Sequence, residues 1–274
     1  MDHDGGIPTY VIRGGVEGRE RLRVLAHLLA PTTEALFDRV GIAADARCLD
    51  VGCGGGDVTL ALARRAPDGT VLGTDLDDTQ LALARSEADA AGLANVEFRV
   101  ADVMAPAERD DVGAYDVVYV RFVLTHLPDP VAALANVTAE LAPGGVLIVE
   151  DVDFRGHFCD PDVQSFWRMV DWYTRAVQVR GCDPNIGPRL PGLLRGAGLA
   201  DVDLHVIQPA GYSVELKSLQ ALTLERIADA VLCAGIADLA EFEATVDDLY
   251  AAARDDDVLL SLPRIVQTWG RRPR

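Results

Sequence analysis

The sequence predicts a doubly wound α/β fold on a mainly parallel sheet of seven strands. Three observations carry that expectation. Short apolar runs alternate with helical runs from residue 46 to residue 149, the rhythm of parallel strands joined by crossover helices. A glycine-rich stretch, Gly52-Cys53-Gly54-Gly55-Gly56, joins the first apolar run to the first helical one. Acids stand at or near the ends of successive strands, at Asp50, Asp75 and Asp102. In an open α/β sheet those carboxyl ends are where a ligand sits.

The elements follow in order. Residues 17–40 carry leucines at helical spacing and read as two helices, with Pro31 opening the second. Strands are expected at 46–51, 71–74, 96–100, 115–120 and 146–149, with helices from 57, over 77–91 and over 129–141. Pro143-Gly144-Gly145 turns the chain into the fifth strand. Residues 153–187 are rich in aromatics and read as a loop and a helix, followed by a helix at 188–199 and a sixth strand at 202–207. Residues 215–254 read as two helices. A final strand at 260–268 pairs as a hairpin with the sixth, and Pro263 assigns it to an edge or a bulge. The chain thus divides into an N-terminal lid and helices (1–41), a ligand-binding core (42–152) and a segment (153–274) that completes the sheet and adds cap elements.

Composition limits the partners. Asp and Glu number 43 against 25 Lys and Arg, a net charge of −18. Nucleic acid is held by cations that neutralise phosphates, so this balance argues against it. No apolar run reaches the length that spans a bilayer, and residues 1–6 lack a signal pattern, so a cytoplasmic protein is expected. The five cysteines form no Cys-x-x-Cys pair, and neither a metal site nor a disulfide framework is expected. Oligomeric state is not legible.

The glycine stretch discriminates among ligands. A dinucleotide fingerprint needs a glycine where this chain has Asp57. Asp50 and Asp57 flank the loop, a poor setting for pyrophosphate and a good one for an ammonium or sulfonium ligand. An NAD-dependent oxidoreductase is therefore disfavoured. Asp75, ending the second strand, suits ribose hydroxyls, and Asp102, ending the third, suits an exocyclic adenine amine.

Together, Leu49-Asp50-Val51-Gly52-Cys53-Gly54-Gly55-Gly56, Gly73-Thr74-Asp75, Ala101-Asp102-Val103, Tyr115-Asp116-Val117-Val118 and Leu141-Ala142-Pro143-Gly144-Gly145 resemble the motifs of the class I S-adenosylmethionine-dependent methyltransferases. Their style is closest to the quinone C-methyltransferase-like branch. The resemblance covers residues 46–151 and implies a Rossmann-like methyltransferase fold with S-adenosyl-L-methionine as cofactor. It implies that Gly52 and Gly54 approach the methionine part and that Asp50 supports its ammonium. Asp75 would take the ribose, Leu76 the adenine face, Asp102 and Val103 the adenine edge. Arg121 would lie near the methionine end. An Asn-Pro-Pro-Tyr signature is absent from 121–126, which turns the reading away from base or glutamine methylation.

The expected acceptor is a small molecule of secondary metabolism, with no nucleic acid and no membrane partner. His126, after the fourth strand, and His157, in the aromatic segment, are the candidate general bases. Tyr10 is a candidate lid over the sulfonium. The aromatics of 154–173 are candidates for an acceptor pocket. The competing expectation is a protein that binds the cofactor without transferring methyl, such as a regulatory subunit or a repurposed cyclase.

Overall fold

The computed structural model describes residues 15–106 and 111–274. In chain order the elements are α1 (Gly15–Val40), β1 (Arg47–Val51), α2 (Asp57–Arg65), β2 (Thr70–Asp75), α3 (Asp78–Ala90), β3 (Val96–Val100), β4 (Tyr115–Arg121), α4 (Pro130–Glu140) and β5 (Leu141–Asp153). Then come β6 (Cys159–Asp160), α5 (Gln164–Val179), α6 (Leu190–Gly196), β7 (Ala200–Ile207) and β8 (Ala210–Gly211). The remainder is α7 (Val214–Arg226), α8 (Ala228–Cys233), α9 (Leu239–Arg254), β9 (Leu259–Ser261) and β10 (Arg264–Arg271).

Seven strands form one sheet in the order β3-β2-β1-β4-β5-β10-β7. The first five run parallel, and β10 is antiparallel to both β5 and β7. The strand order reverses between β1 and β4, which opens a crevice at their carboxyl ends. β1 is buried beyond its first residue, as a central strand covered on both faces must be. On one face, Leu36 and Phe37 of α1 and Val58 and Leu62 of α2 pack on Cys48, Val71, Val117 and Ile148. On the other, Leu134 and Val137 of α4 and Leu190 and Leu194 of α6 pack on Leu49, Val118 and Leu147. A third cluster joins α5, α7, α8 and α9 to Val152, Phe154 and Ile265, beyond the carboxyl edge of the sheet.

Several expectations need correction. Residues 17–40 lie within one helix, not two, because α1 runs through Pro31. The Thr32 hydroxyl donates to the Leu29 carbonyl at 2.8 Å beside Pro31. The segment read as two helices at 215–254 holds three, with Ile227 capping both α7 and α8. The final strand is split at Pro263 into β9 and β10, since proline offers no ladder donor. β10 then lies inside the sheet rather than at its edge. β6, β9 and β8 form a small second sheet that the sequence did not signal.

Candidate functional site

A cavity of about 430 Å³ opens where β1, β2, β3 and β4 end. Gly52, Cys53, Gly54 and Gly55 form one wall, with Asp75, Leu76, Asp102 and Val103 beside them. Gly52 has φ +69°, and a Cβ there would stand 2.4 Å from Val123 Cγ2, so the turn admits only glycine. The Gly54 amide donates to Asp75 Oδ2 at 2.8 Å, and the Asp77 amide donates to Oδ1 at 2.9 Å. Asp75 therefore orders both the loop after β1 and the start of α3. Asp102 accepts from the Met104 amide at 2.9 Å and remains exposed on the wall, as does Leu76.

Asp50, expected to support the ammonium of the ligand, lies beneath the loop. It is 2% exposed and absent from the cavity wall, because it points under the loop and accepts from Thr59 Oγ1 at 2.6 Å. Burial raises its pKa to about 6, against the Thr59 bond and the Arg121 charge. Arg121 reaches the wall from the end of β4 and bonds Thr33 Oγ1 at 3.3 Å. Burial opposes its charge, but Tyr119, Glu150, Asp50 and Asp57 together raise its pKa. Beneath it, Glu150 accepts from the Tyr119 hydroxyl and, at 2.7 Å, from Gln267 Nε2.

Both candidate histidines line the cavity. His126 sits in a 3₁₀ turn, Leu124–His126, whose Thr125 amide donates to Asp151 Oδ2 at 3.0 Å. Burial and the Arg21 and Arg180 charges lower its pKa to about 3, so it is a weak base at neutral pH. Burial likewise lowers His157 to about 4. His157 Nδ1 lies 2.9 Å from the Phe154 carbonyl. Phe154 and Tyr173 stack at 4.0 Å and, with Met169, face the cavity. Trp167 and Trp172 are not on its wall; Trp172 stacks on Phe242 inside the core. Tyr10 lies outside the described residues.

Other wall residues escaped sequence reasoning. Arg21, Leu22 and Leu25 come from α1, and Leu219, Gln220 and Thr223 from α7. Arg21 Nε donates to Thr223 Oγ1 at 3.0 Å, closing the two helices over the cavity. Phe122 holds φ +56°, a region costly for an aromatic residue, and it lines the cavity. No sequence signal marks it, since that backbone favours glycine or asparagine. A larger depression of about 580 Å³ lies between α1 and α2; it shares Asp57 and Arg121 but has no glycine wall. Among the described residues, no group of three or more His, Cys, Asp or Glu could hold a metal. No helix among them is long and apolar enough to cross a membrane.

A glycine cradle with carboxylates at two neighbouring strand ends suits a ligand with ribose hydroxyls and an amine-bearing base. The fold and this site define an α/β protein of the nucleoside-cofactor class. Residues 42–176 match a family model described as a methyltransferase domain. That stretch carries the motifs read in the sequence and is a methyltransferase domain.

It is 29% identical over 238 residues to trans-aconitate 2-methyltransferase of Variovorax paradoxus, covering 85% of this chain and 89% of that one. It is 37% identical over 108 residues to a ubiquinone biosynthesis O-methyltransferase of Acinetobacter baumannii, covering 39% and 44%. The match to a methyltransferase of Strobilurus tenacellus spans 62% of that protein's length at 29% identity. Among solved structures, a putative methyltransferase from Bacillus halodurans shares the fold (TM-score 0.59, 17% identity, 88% of this chain and 99% of that one). The [4+2]-cyclase SpnF does so as well (TM-score 0.55, 23% identity, 89% and 80%).

Proposed function

We propose that this protein transfers a methyl group from S-adenosylmethionine to a small-molecule acceptor, in the cytoplasm and within secondary metabolism. The observation that carries the reading is a single cavity with two unlike ends. One end has Gly52, Gly54, Asp75 and Asp102; the other has Phe154, Tyr173 and Met169. Bound there, the cofactor supplies a methyl group already activated by a sulfonium. The chain then has to hold it, align the acceptor and exclude water.

In this reading Gly52 and Gly54 receive the methionine part, Asp75 the ribose hydroxyls, and Leu76, Asp102 and Val103 the adenine. Arg121 faces the carboxylate end. Asp50 acts from beneath the loop, by its charge and by fixing Thr59, rather than by contact. Tyr10 is retained as a lid. His126 and His157 are the candidate bases, and their low pKa values favour roles as neutral hydrogen-bond acceptors over strong proton abstraction. Five unpaired cysteines support a reducing compartment. The net charge of −18 supports the absence of a nucleic-acid partner.

Isothermal calorimetry and a labelled-methyl assay test the reading. S-adenosylhomocysteine should bind and NAD should not, and an acceptor panel should yield labelled product. Cofactor binding with no transfer to any acceptor would favour a non-transferring protein, a reading kept alive by the fold shared with a cyclase.

A further inference from the structure

Where α7 closes over the cavity, it carries a polar group that the protein satisfies only at one end. Gln220 is 3% exposed and lies on the cavity wall. Its Nε2 donates to the Ser261 carbonyl of β9 at 2.9 Å. A carbonyl can only accept, so this bond fixes which end of the amide is nitrogen and turns the oxygen away from Ser261. Oε1 accepts no hydrogen bond from the described residues. Nor is it sealed off. Gln80 Oε1 and His157 Nε2 are unpartnered atoms without accessible surface, and Gln220 Oε1 is not among such atoms. In a residue this buried, on a cavity wall, the surface that remains opens on the cavity. Gln220 Oε1 is thus an open acceptor with a fixed direction.

The surroundings make that acceptor selective. α7 packs on α1, α5, α9 and β9. The wall around Gln220 is apolar: Leu219 beside it and Leu262 after β9 share a cluster with Leu25 of α1. One turn along the same helix face, Thr223 accepts from Arg21 Nε at 3.0 Å. Arg21 acts on His126 as a positive charge, so a cation stands along this part of the wall. A ligand that enters displaces the water on Oε1. A donor makes that loss good, whereas a carbon or a lone pair does not.

Building on the methyltransferase reading, we propose that the acceptor is a neutral molecule held by an O–H or N–H group that donates to Gln220 Oε1. Gln220 then determines specificity and takes no proton, since an amide oxygen is not a base at neutral pH. A carboxylate or an ether would set lone pair against lone pair. An ammonium would donate, but Arg21 places a like charge on the same wall. The Ser261 bond keeps the amide from turning its nitrogen to the ligand. The site therefore tells a donor from an acceptor, as a polar group in an apolar wall does.

The test measures binding to the protein saturated with S-adenosylhomocysteine. The probes are β-naphthol, indole and carbostyril, each beside the analogue whose donor hydrogen is replaced by methyl, together with β-naphthoate. At least one donor probe should bind about ten-fold more tightly than its methylated analogue, the scale of one hydrogen bond. Gln220→Leu should abolish that preference while S-adenosylhomocysteine affinity stays within about two-fold; a penalty due only to the bulk of the methyl group would persist. Gln220→Glu loses the amide donor to Ser261 but keeps an acceptor, so it should retain the preference. Gln220→Met replaces Gln220→Leu should the latter not fold. The proposal falls if no donor probe is preferred by the wild-type protein, if β-naphthoate binds best, or if the preference survives in Gln220→Leu. It falls too if Gln220→Glu loses the preference as fully as Gln220→Leu, since the Ser261 bond would then be the cause. Failure of the wild-type protein to bind S-adenosylhomocysteine would overturn the methyltransferase reading itself, and this proposal with it.

Discussion

The Gly54 amide and the Asp75 carboxylate meet at 2.8 Å, and that bond ties the loop after β1 to the end of β2. The residue expected to hold the ribose therefore also shapes the glycine cradle. Asp75→Ala should weaken S-adenosylhomocysteine binding by about 1.5–3 kcal/mol, the scale of lost charge-assisted hydrogen bonds. Asp75→Asn, which keeps one acceptor oxygen for the amides, should lose less stability than Asp75→Ala. Calorimetry and urea unfolding read the two effects separately, and unchanged affinity in Asp75→Ala would remove Asp75 from the site.

Gly52 and Val123 are in steric opposition. A methyl group at position 52 would sit 2.4 Å from Val123 Cγ2, on backbone at φ +69°. Gly52→Ala should cost at least about 2 kcal/mol in unfolding free energy, from overpacking and left-handed strain combined. Val123→Ala in the same chain should recover about 1 kcal/mol, the part owed to the clash. Additive losses in the double variant would show that the backbone angle alone is at fault.

The Tyr119, Glu150 and Gln267 side chains form a buried network under the site, not part of its wall. Tyr119→Phe leaves one Glu150 oxygen short of a donor and should lower stability by about 1–3 kcal/mol. S-adenosylhomocysteine affinity should not change. A large affinity loss at unchanged stability would instead assign Tyr119 to binding.

Two opposing sets of groups shape the pH dependence. His126 and His157 titrate near 3 and 4 in the folded chain, below the ordinary 6.5. The unfolded chain takes up their protons first, so this part of the stability is lost as pH falls below about 6.5. Asp50 near 6, and Asp151 and Glu140 near 7, are raised by burial, so their share is lost as pH rises from about 4 towards 7. The two slopes partly cancel in the wild-type protein. In His126→Gln one opposing term is gone, so its stability relative to wild type should improve as pH falls from about 6.5 to about 4. Parallel unfolding curves across that range would show that His126 is not held neutral.

Periodicity and glycine placement made the first five strands and the cradle legible, because each is encoded within a few consecutive residues. Asp75 and Asp102 could be placed on one rim, since strands that run parallel deliver their ends to one side. What local sequence does not encode is contact across long separations. Arg21 meets Thr223 only because α1 and α7 fold over the same crevice. Asp50 had the right neighbours in sequence, but its side chain turns under the loop to Thr59. Phe122 takes a backbone angle that its side chain disfavours, which tertiary packing imposes and propensity hides. Pro263 divides two strands where one strand, at an edge or with a bulge, is expected from sequence.

The place of β10 bears on how this chain folds. It is the last strand in order, yet it lies between β5 and β7, with Arg264 facing Asp153 and Ile265 facing Ile207. The five parallel strands can assemble from neighbouring segments, but β5 keeps an open edge until β10 arrives. That pairing closes a loop over more than a hundred residues, so its entropy must be met before its contacts form. In the interval β5 presents unpaired backbone and apolar side chains, the features that recruit other chains. Sheet closure, more than assembly of the cradle, is the step at which this protein is exposed to misassembly.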